Sequence, residues 1–302
     1  MRDNPLVTVV IPTWNRLPLL EEAVASVVTQ TYPRWELFVV DDGSTDGTDE
    51  WLRTLSDRRV HVVPSPHVGN IAHLRNLGAK AGSGDLIAFL DSDDVWLPRK
   101  LELQVGTLRE SEVGWCHSGY ELMDNERLKI PTRVGGFTPV SGRIVRELLT
   151  GEVGIPVSTV VVRRKLFHTA GGFSEDPGLI TREDHEFDLR LALLSDAVVV
   201  PDVLTRIREH PGRTTAGIKD AYERAARVYQ LFLASQSDSD LTRLARRFWT
   251  RNLSDAAAQR LVAGHVGHAA LLFASSLVRG AEVKHWLRAL ARGVRDRFSC
   301  CR

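Results

Sequence analysis

The sequence predicts an α/β domain, a mixed and mostly parallel sheet flanked by helices, followed by a C-terminal helical appendage. Three observations lead there. Short β-branched apolar runs alternate with stretches of helical periodicity through the first half of the chain. The first of these runs, Leu6 to Ile11, is nearly continuous, the pattern of a strand buried on both faces. From about Ile218 onward strand signals vanish and 3.6-residue periodicity takes over. At roughly 100–200 residues per domain, 302 residues divide naturally into a sheet domain over 1–217 and a helical region over 218–302.

The elements follow in order. Leu6-Val-Thr-Val-Val-Ile11 predicts the first strand, and Leu17 to Gln30 a helix carrying Leu19, Leu20, Val24, Val27 and Val28 at helical spacing. Trp35 to Val40 is the second strand, with a short helix over Asp49 to Leu55, and Val60 to Val63 the third strand. Asn70 to Ala81 predicts a helix, and Asp85-Leu-Ile-Ala-Phe-Leu90 a fourth strand stopped by Asp91-Ser-Asp-Asp94. Alternation of this kind implies parallel strands joined by right-handed crossovers. Gly114 to Tyr120, Val157 to Val162 and Ala197 to Leu204 predict further strands, with a helix over Glu183 to Leu194. Helices are then expected over 221–234, 241–263, 265–278 and 283–298.

Composition narrows the function. Thirty-nine Lys and Arg stand against 38 Asp and Glu, a net charge of +1. That balance lacks the basic excess a phosphate backbone demands, so a nucleic-acid binder is not expected. Three cysteines, Cys116, Cys300 and Cys301, form no disulfide framework, which points to a reducing compartment. The first apolar run is too short and too poorly flanked for a signal peptide. No apolar stretch approaches the ~20 residues that span a bilayer. A cytoplasmic protein is the expectation.

Three carboxylate clusters fall where ligands bind in open α/β sheets, beyond the carboxyl ends of the strands. Asp41-Asp42-Gly43-Ser44 ends the second strand; it reads either as a nucleoside-contacting turn or as an ordinary turn with a helix cap. Asp91-Ser-Asp-Asp94 ends the fourth. Its carboxylates repel one another unless something positive sits among them, as a hard divalent cation would. Strand periodicity would send Asp91 and Asp93 to one side. Glu183-Asp184 opens a helix, where acidic residues suit the helix dipole or supply a general base.

Taken together, Val9-Val-Ile-Pro-Thr-Trp-Asn-Arg16, Val39-Val-Asp-Asp-Gly-Ser-Thr45, Leu74-Arg-Asn-Leu-Gly78, Phe89-Leu-Asp-Ser-Asp-Asp94, Gly171-Gly-Phe and Arg182-Glu-Asp-His185 resemble glycosyltransferase family 2, over roughly residues 5–215. The resemblance implies a GT-A fold. It also implies an inverting transferase that moves a sugar from a nucleoside diphosphate, UDP or dTDP favoured, to a hydroxyl of a saccharide or lipid-linked acceptor. Such chemistry serves cell-surface polysaccharide or glycoconjugate synthesis and uses Mg²⁺ or Mn²⁺. Position by position, Asp42 matches the carboxylate that contacts the nucleoside, with Pro12, Thr13 and Trp14 lining its pocket. Asp91 matches the residue near the ribose and Asp93 the metal ligand. Asp184 matches the catalytic base, beside Glu183. His210 matches a late histidine near the metal or diphosphate. No Gln-x-x-Arg-Trp motif is present, so transfer of one sugar or a few is expected rather than processive polymerisation.

Other residues carry two readings. Arg75 either reaches the nucleotide or lies on a helix surface in water. Asn76 either bonds near the aspartates or caps local backbone. His67, His73 and His185 have no assigned role, Trp96 is expected to pack beneath the site, and Cys116 to be buried in a strand. Arg279 to Arg302 carries seven basic residues against two acidic ones. The helix over 282–298 either packs on the catalytic domain or lies on the inner face of an anionic membrane. Two rival functions remain. A sugar nucleotidyltransferase would want a Gly-rich basic loop after the first strand, where this chain has Pro12-Thr-Trp-Asn-Arg16. A non-catalytic nucleotide-sugar or membrane adaptor would not need Asp42, Asp93 and Asp184 together.

Overall fold

The computed structural model describes residues 4–124, 129–130, 138–210, 220–281 and 286–291. Two compact units emerge: Met1–Glu175 with Glu183–Arg213, and Asp176–Arg182 with Thr214–Arg302. In the first, β1 (Val7–Thr13), α1 (Leu17–Val28), β2 (Trp35–Asp41), α2 (Thr48–Leu52), β3 (Val60–Pro64), α3 (Ile71–Ala81) and β4 (Leu86–Phe89) follow one another as the alternation predicts. They are succeeded by β5 (Val95–Trp96), α4 (Lys100–Arg109), β6 (Trp115–Met123), β7 (Lys129–Ile130), α5 (Val145–Thr150), β8 (Val161–Arg163), α6 (Arg164–Ala170), α7 (Glu183–Leu194) and β9 (Ala197–Arg208).

The strands form a mixed sheet in the order β3-β2-β1-β4-β8-β6-β9-β5, with β7 on β6. Its first four strands are parallel, and β8 runs antiparallel against both β4 and β6. Register brings the ends of β1, β2 and β3 level. Thr13 pairs with Asp41 and Asp41 with Pro64, while β4 stops opposite Val10; being parallel, β1, β2 and β4 send the loops that follow them to the same end of the sheet.

Burial explains why β1 reads as an unbroken apolar run: all seven of its residues are buried. Val9, Ile11, Leu37 and Val39 meet Leu20, Val24 and Val27 of α1 on one face. On the other, α3 presses its Gly78 against Val10 and Val40; an added Cβ would stand 2.4 Å from Val10 Cγ1 and 3.0 Å from Val40 Cγ2. The bare backbone at Gly78 therefore sets how deeply α3, and Arg75 on it, sinks toward the sheet. Asn70 starts this helix, its side chain accepting from the backbone N–H groups of Ala72 and His73.

A ring cluster of Phe89, Phe167, Phe173 and Phe187 joins β4, α6, the Gly171-Gly172 turn and α7. Edge-to-face and tilted packing of this kind fixes direction as well as distance. Arg190 reinforces it, pairing with Glu186 and donating to the carbonyl of Gly172 at 2.6 Å. The N-terminus of α7 is thereby held at the sheet edge.

The expected strand over Val157 to Val162 is shorter than its apolar pattern suggests. Val157–Thr159 form a turn of 3₁₀ helix, and only Val161–Arg163 pair. Pro156 precedes the turn, and the Thr159 hydroxyl donates back to the Pro156 carbonyl at 2.7 Å, a local bond that competes with the ladder. Conversely, β9 runs past Leu204 to Arg208, crossing a register irregularity opposite Ser118 and Gly119.

In the second unit, α8 (Ala221–Ser235), α9 (Ser239–Val262) and α10 (Val266–Val278) match the periodicity within two residues. Residues 286–291 are helical; the rest of the expected 283–298 helix lies outside the described residues. Among the described residues, no helix is long and apolar enough to cross a membrane.

Candidate active site

At the end of β2 the Asp42 side chain is buried and organises the loop that follows β3. It accepts from Val68 N at 2.8 Å and Gly69 N at 2.9 Å, and the His67 ring nitrogen Nδ1 lies 2.9 Å from Oδ2. His67 in turn stacks on Trp14, ring centroids 4.5 Å apart and planes inclined by 20°. Trp14 remains 48% exposed, a flat apolar face turned to the mouth of the edge. Asn15 and Ser44 clip the β1 and β2 loops together, Asn15 N donating to Ser44 Oγ and Thr45 N to Asn15 Oδ1. Gly43, at φ +75°, makes the turn that lets the His67 backbone pass 3.2 Å from where a Cβ would be. Pro12 and Thr13 lie on the last turn of β1; the Thr13 hydroxyl is buried with no hydrogen-bond partner.

Next to this pocket the Asp91 cluster forms, though not by strand alternation. The strand stops at Phe89 and the chain turns, Asp94 N donating to the Asp91 carbonyl at 3.0 Å. The turn gathers one carboxylate oxygen from each of Asp91, Asp93 and Asp94 within 4.8 Å of one another. Each is answered differently. Asp91 Oδ1 takes Arg75 Nη2 at 2.7 Å; Asp93 Oδ2 takes Arg16 Nη1 at 2.6 Å and faces His210 Nε2 at 3.1 Å. Asp94 accepts from Ser158 Oγ at 2.6 Å and Arg208 N at 3.0 Å, committing both its oxygens to the scaffold. Burial and the neighbouring charges of Asp93 and Asp91 push Asp94 well above the usual carboxylate range. Burial likewise raises Asp91, against the opposing pull of Arg75.

Asp91 and Asp93 each keep one oxygen with no hydrogen bond among the described residues. An all-oxygen set of this kind suits a hard divalent cation, with the His210 ring beside it.

Arg75 links the aspartates to the start of α7. Far from being a helix-surface residue, it is 2% exposed; its second arm, Nη1, reaches Glu183 Oε1 at 2.8 Å. Arg75 Nε and Glu183 Oε2 are buried without partners. Asp184 follows, one oxygen accepting from His185 N at 2.7 Å. Burial and the Glu183 carboxylate push its pKa up to about 7, while Arg75 pulls the other way. A carboxylate poised near neutrality is suited to proton transfer at physiological pH. Asn76, on the same helix as Arg75, pins the opposite wall: it donates to the Phe173 carbonyl and accepts from Phe173 N at 2.8 Å.

The residues singled out in the sequence thus gather along one edge. Asp42, Thr13 and Trp14 lie at one end, Asp91, Asp93 and His210 beside Arg75, and Asp184 beyond it. His67, Arg16, Ser158 and Arg208 were not assigned roles from the sequence. Arg16 directly follows the first strand loop, a position that could have marked it; Ser158 sits inside an apolar run and carries no such signal. Trp96, as expected, is buried beneath, its indole donating to the Ser158 carbonyl at 2.8 Å, and Cys116 is buried in β6.

Several glycosyltransferases are similar to this chain in sequence or in fold. The stretch of 166 residues that is 34% identical to the UDP-Glc:alpha-D-GlcNAc-diphosphoundecaprenol beta-1,3-glucosyltransferase WfgD of Escherichia coli is 55% of this chain and 63% of WfgD. A putative teichuronic acid biosynthesis glycosyltransferase, TuaG of Bacillus subtilis, is 40% identical over 122 residues, 40% of this chain and 48% of TuaG. The matches therefore span about half to two thirds of these relatives' lengths. Among solved structures, S. aureus TarS 1–349 in complex with UDP-GlcNAc superposes over 90% of this chain and 89% of its own, with TM-score 0.67 at 20% identity. The mannosyltransferase PcManGT from Pyrobaculum calidifontis, in complex with GDP-Man and Mn²⁺, covers 98% of this chain and 88% of its own, with TM-score 0.59 at 22% identity. These likenesses bear out the GT-A fold. The model of the family described as glycosyl transferase family 2 matches residues 8–169; a match that begins in β1, runs through α6 and takes in more than half of the sequence makes this chain a member of glycosyltransferase family 2.

Proposed function

We propose that this protein moves a sugar from a nucleoside diphosphate donor to an acceptor hydroxyl with inversion at the anomeric carbon, in the building of a cell-surface polysaccharide or glycoconjugate. The observation that carries the proposal is Asp184, a carboxylate with a pKa of about 7 in the same charged cluster as Arg75, Asp91 and Asp93. Asp42, His67 and Trp14 hold the nucleoside, the stacked rings offering a flat face to a base. UDP and dTDP are the favoured carriers; TarS, of the same fold, is known with UDP-GlcNAc. The acceptor is a saccharide, free or lipid-linked, the latter in keeping with the diphosphoundecaprenol substrate in the name of WfgD.

Asp91 and Asp93 would hold a divalent cation, with His210 at hand, and PcManGT of the same fold carries Mn²⁺ with its donor. Such an ion, when bound, stabilises the negative charge that develops on the departing diphosphate. Asp184 does the remaining chemistry. It takes the proton of the acceptor hydroxyl as that oxygen bonds the anomeric carbon and the bond to the diphosphate breaks on the opposite face. Glu183, tied to Arg75, is held away from the sugar, which leaves one carboxylate for one displacement and needs no covalent intermediate.

The test is thermal stabilisation by a panel of UDP- and dTDP-sugars with and without Mn²⁺, followed by assignment of the product anomer by NMR. Mn²⁺-dependent stabilisation by one donor, lost in Asp93→Ala, and an inverted product are expected. A retained anomer, or donor binding indifferent to Asp93, would overturn the reading.

A further inference from the structure

In the second unit, α9 and the segment after α10 enclose a cavity of about 700 Å³. Six arginines line it: Arg243, Arg246, Arg247 and Arg251 from α9, Arg279 just past α10, and Arg288 from the helical residues 286–291. All six are exposed. Among the described residues, the lining contains no acidic one. Two of the arginines have distant carboxylates, Arg243 at 3.5 Å from Asp240 and Arg251 at 3.9 Å from Asp255. Arg279 is held by Ser275 and lies over the Trp249 ring. Among the described residues Arg246, Arg247 and Arg288 have no carboxylate partner at all. So dense a cationic pocket repels itself unless an anion enters it.

The same elements also expose aliphatic side chains. Leu271 and Val278, seven residues apart and so on one face of α10, are 73% and 85% exposed, opposite the buried Ala269 and Ser276. Leu287 is also exposed. Val278 directly precedes Arg279 and Leu287 directly precedes Arg288, so two of these exposed aliphatic residues adjoin lining arginines in the chain. A free phosphate would satisfy the arginines and leave these side chains in water. A phospholipid surface satisfies both, with phosphates in the cavity and aliphatic side chains among the acyl chains.

We infer that α9, the end of α10 and residues 286–291 form a docking surface for an anionic phospholipid bilayer, whose headgroup phosphates occupy the arginine cavity. The surface differs from the 282–298 helix suggested by charge counting in the sequence, because four of its six cations belong to α9. The inference is independent of the reaction proposed above.

The test is co-sedimentation of the full chain with vesicles of phosphatidylglycerol and phosphatidylcholine in equal parts, and with phosphatidylcholine alone. Binding only to the anionic vesicles is expected. Arg246→Gln/Arg247→Gln should weaken it about thirtyfold, equivalent to ~1 kcal/mol for each cation near an anionic surface. Leu271→Ser/Val278→Ser should also weaken it, without altering any thermal stabilisation by inorganic pyrophosphate. All four side chains are exposed, so the variants should melt with the parent. Equal sedimentation of parent and variants overturns the inference. So does an arginine variant that loses pyrophosphate binding while sedimenting unchanged, which would make the cavity a site for soluble phosphates.

Discussion

Arg75 and Glu183 lie 108 residues apart in the chain and are joined at 2.8 Å in its interior. Arg75 holds Asp91 with its other arm at 2.7 Å, so one guanidinium fastens the end of the fourth strand to the start of α7. Removing it leaves two carboxylates without their counter-charge. Arg75→Met should therefore lower stability by about 3–5 kcal/mol, the usual result of breaking a buried ion pair from one side, as read by urea unfolding. Arg75→Lys should recover only part, because an ammonium lacks the planar fork that reaches both partners. An unfolding midpoint unchanged in both variants would rule out this fastening role.

Asp184 should govern the pH dependence of transfer. Its pKa of about 7 means that activity rises with pH through neutrality and then levels, as the carboxylate becomes free to accept a proton. Asp184→Asn should reduce kcat by about 10²–10⁴, the range typical of a displaced general base, with donor affinity little changed. Stability moves the opposite way. Between roughly pH 4, the unfolded carboxyl value, and pH 7 the folded state holds a proton that the unfolded state has released. The parent therefore loses stability as pH rises through that window, and Asp184→Asn should lose less. Melting curves across the range decide it: parallel profiles for parent and variant would remove Asp184 as their cause.

Gly78 should tolerate no side chain. A methyl group there meets Val10 Cγ1 at 2.4 Å, a branched side chain fully buried between strands, so α3 must shift outward. Gly78→Ala should cost about 1–3 kcal/mol, as overpacking usually does, and should weaken donor binding by displacing Arg75. Gly78→Ala/Val10→Ala should restore part of the stability. If the second change brings nothing back, the clash is not what limits the position.

Lys100 offers a separate check on the core. It is fully buried, bonded to Gln104 and the Thr159 carbonyl and set over the Trp96 ring, with no carboxylate partner among the described residues. Burial lowers its pKa to about 7. Above that pH the folded protein releases a proton that the unfolded chain keeps until about pH 10.4, so the parent gains stability as pH rises from 7 toward 10. Lys100→Met should abolish this rise in urea titrations at pH 7.5 and 9.5. A slope identical to the parent's would assign the rise to another group.

How much of this was legible beforehand depends on what each residue's signal is made of. The strands that deliver Thr13, Asp41 and Asp91 announce themselves because burial on both faces demands unbroken apolar runs, and α7 begins at Glu183 where its acidic first turn said it would. The carboxylate clusters were visible as interruptions of those runs. What they bond to was not. Helical spacing marks a face of α3 but cannot tell that Arg75 on it is drawn inward by Asp91 and Glu183, residues remote in sequence. His67 sits in a loop without periodicity, and its pairing with Asp42 depends on how β3 lies beside β2. Ser158 looked like part of a strand, yet its hydroxyl donates to Asp94 and accepts from Asp91 N, which requires the 3₁₀ turn that apolar composition concealed.

Because β1, β2 and β3 finish level at one edge, chains built on this plan can change length only between those strands. One residue gained within β2 would rotate Asp42 from the open mouth toward the helix-covered side and break its grip on Val68 and Gly69. The crossovers carry no such constraint. Divergence by insertion should accordingly collect far from the Asp42–Asp91 edge, leaving the spacing from strand start to carboxylate as the feature hardest to alter.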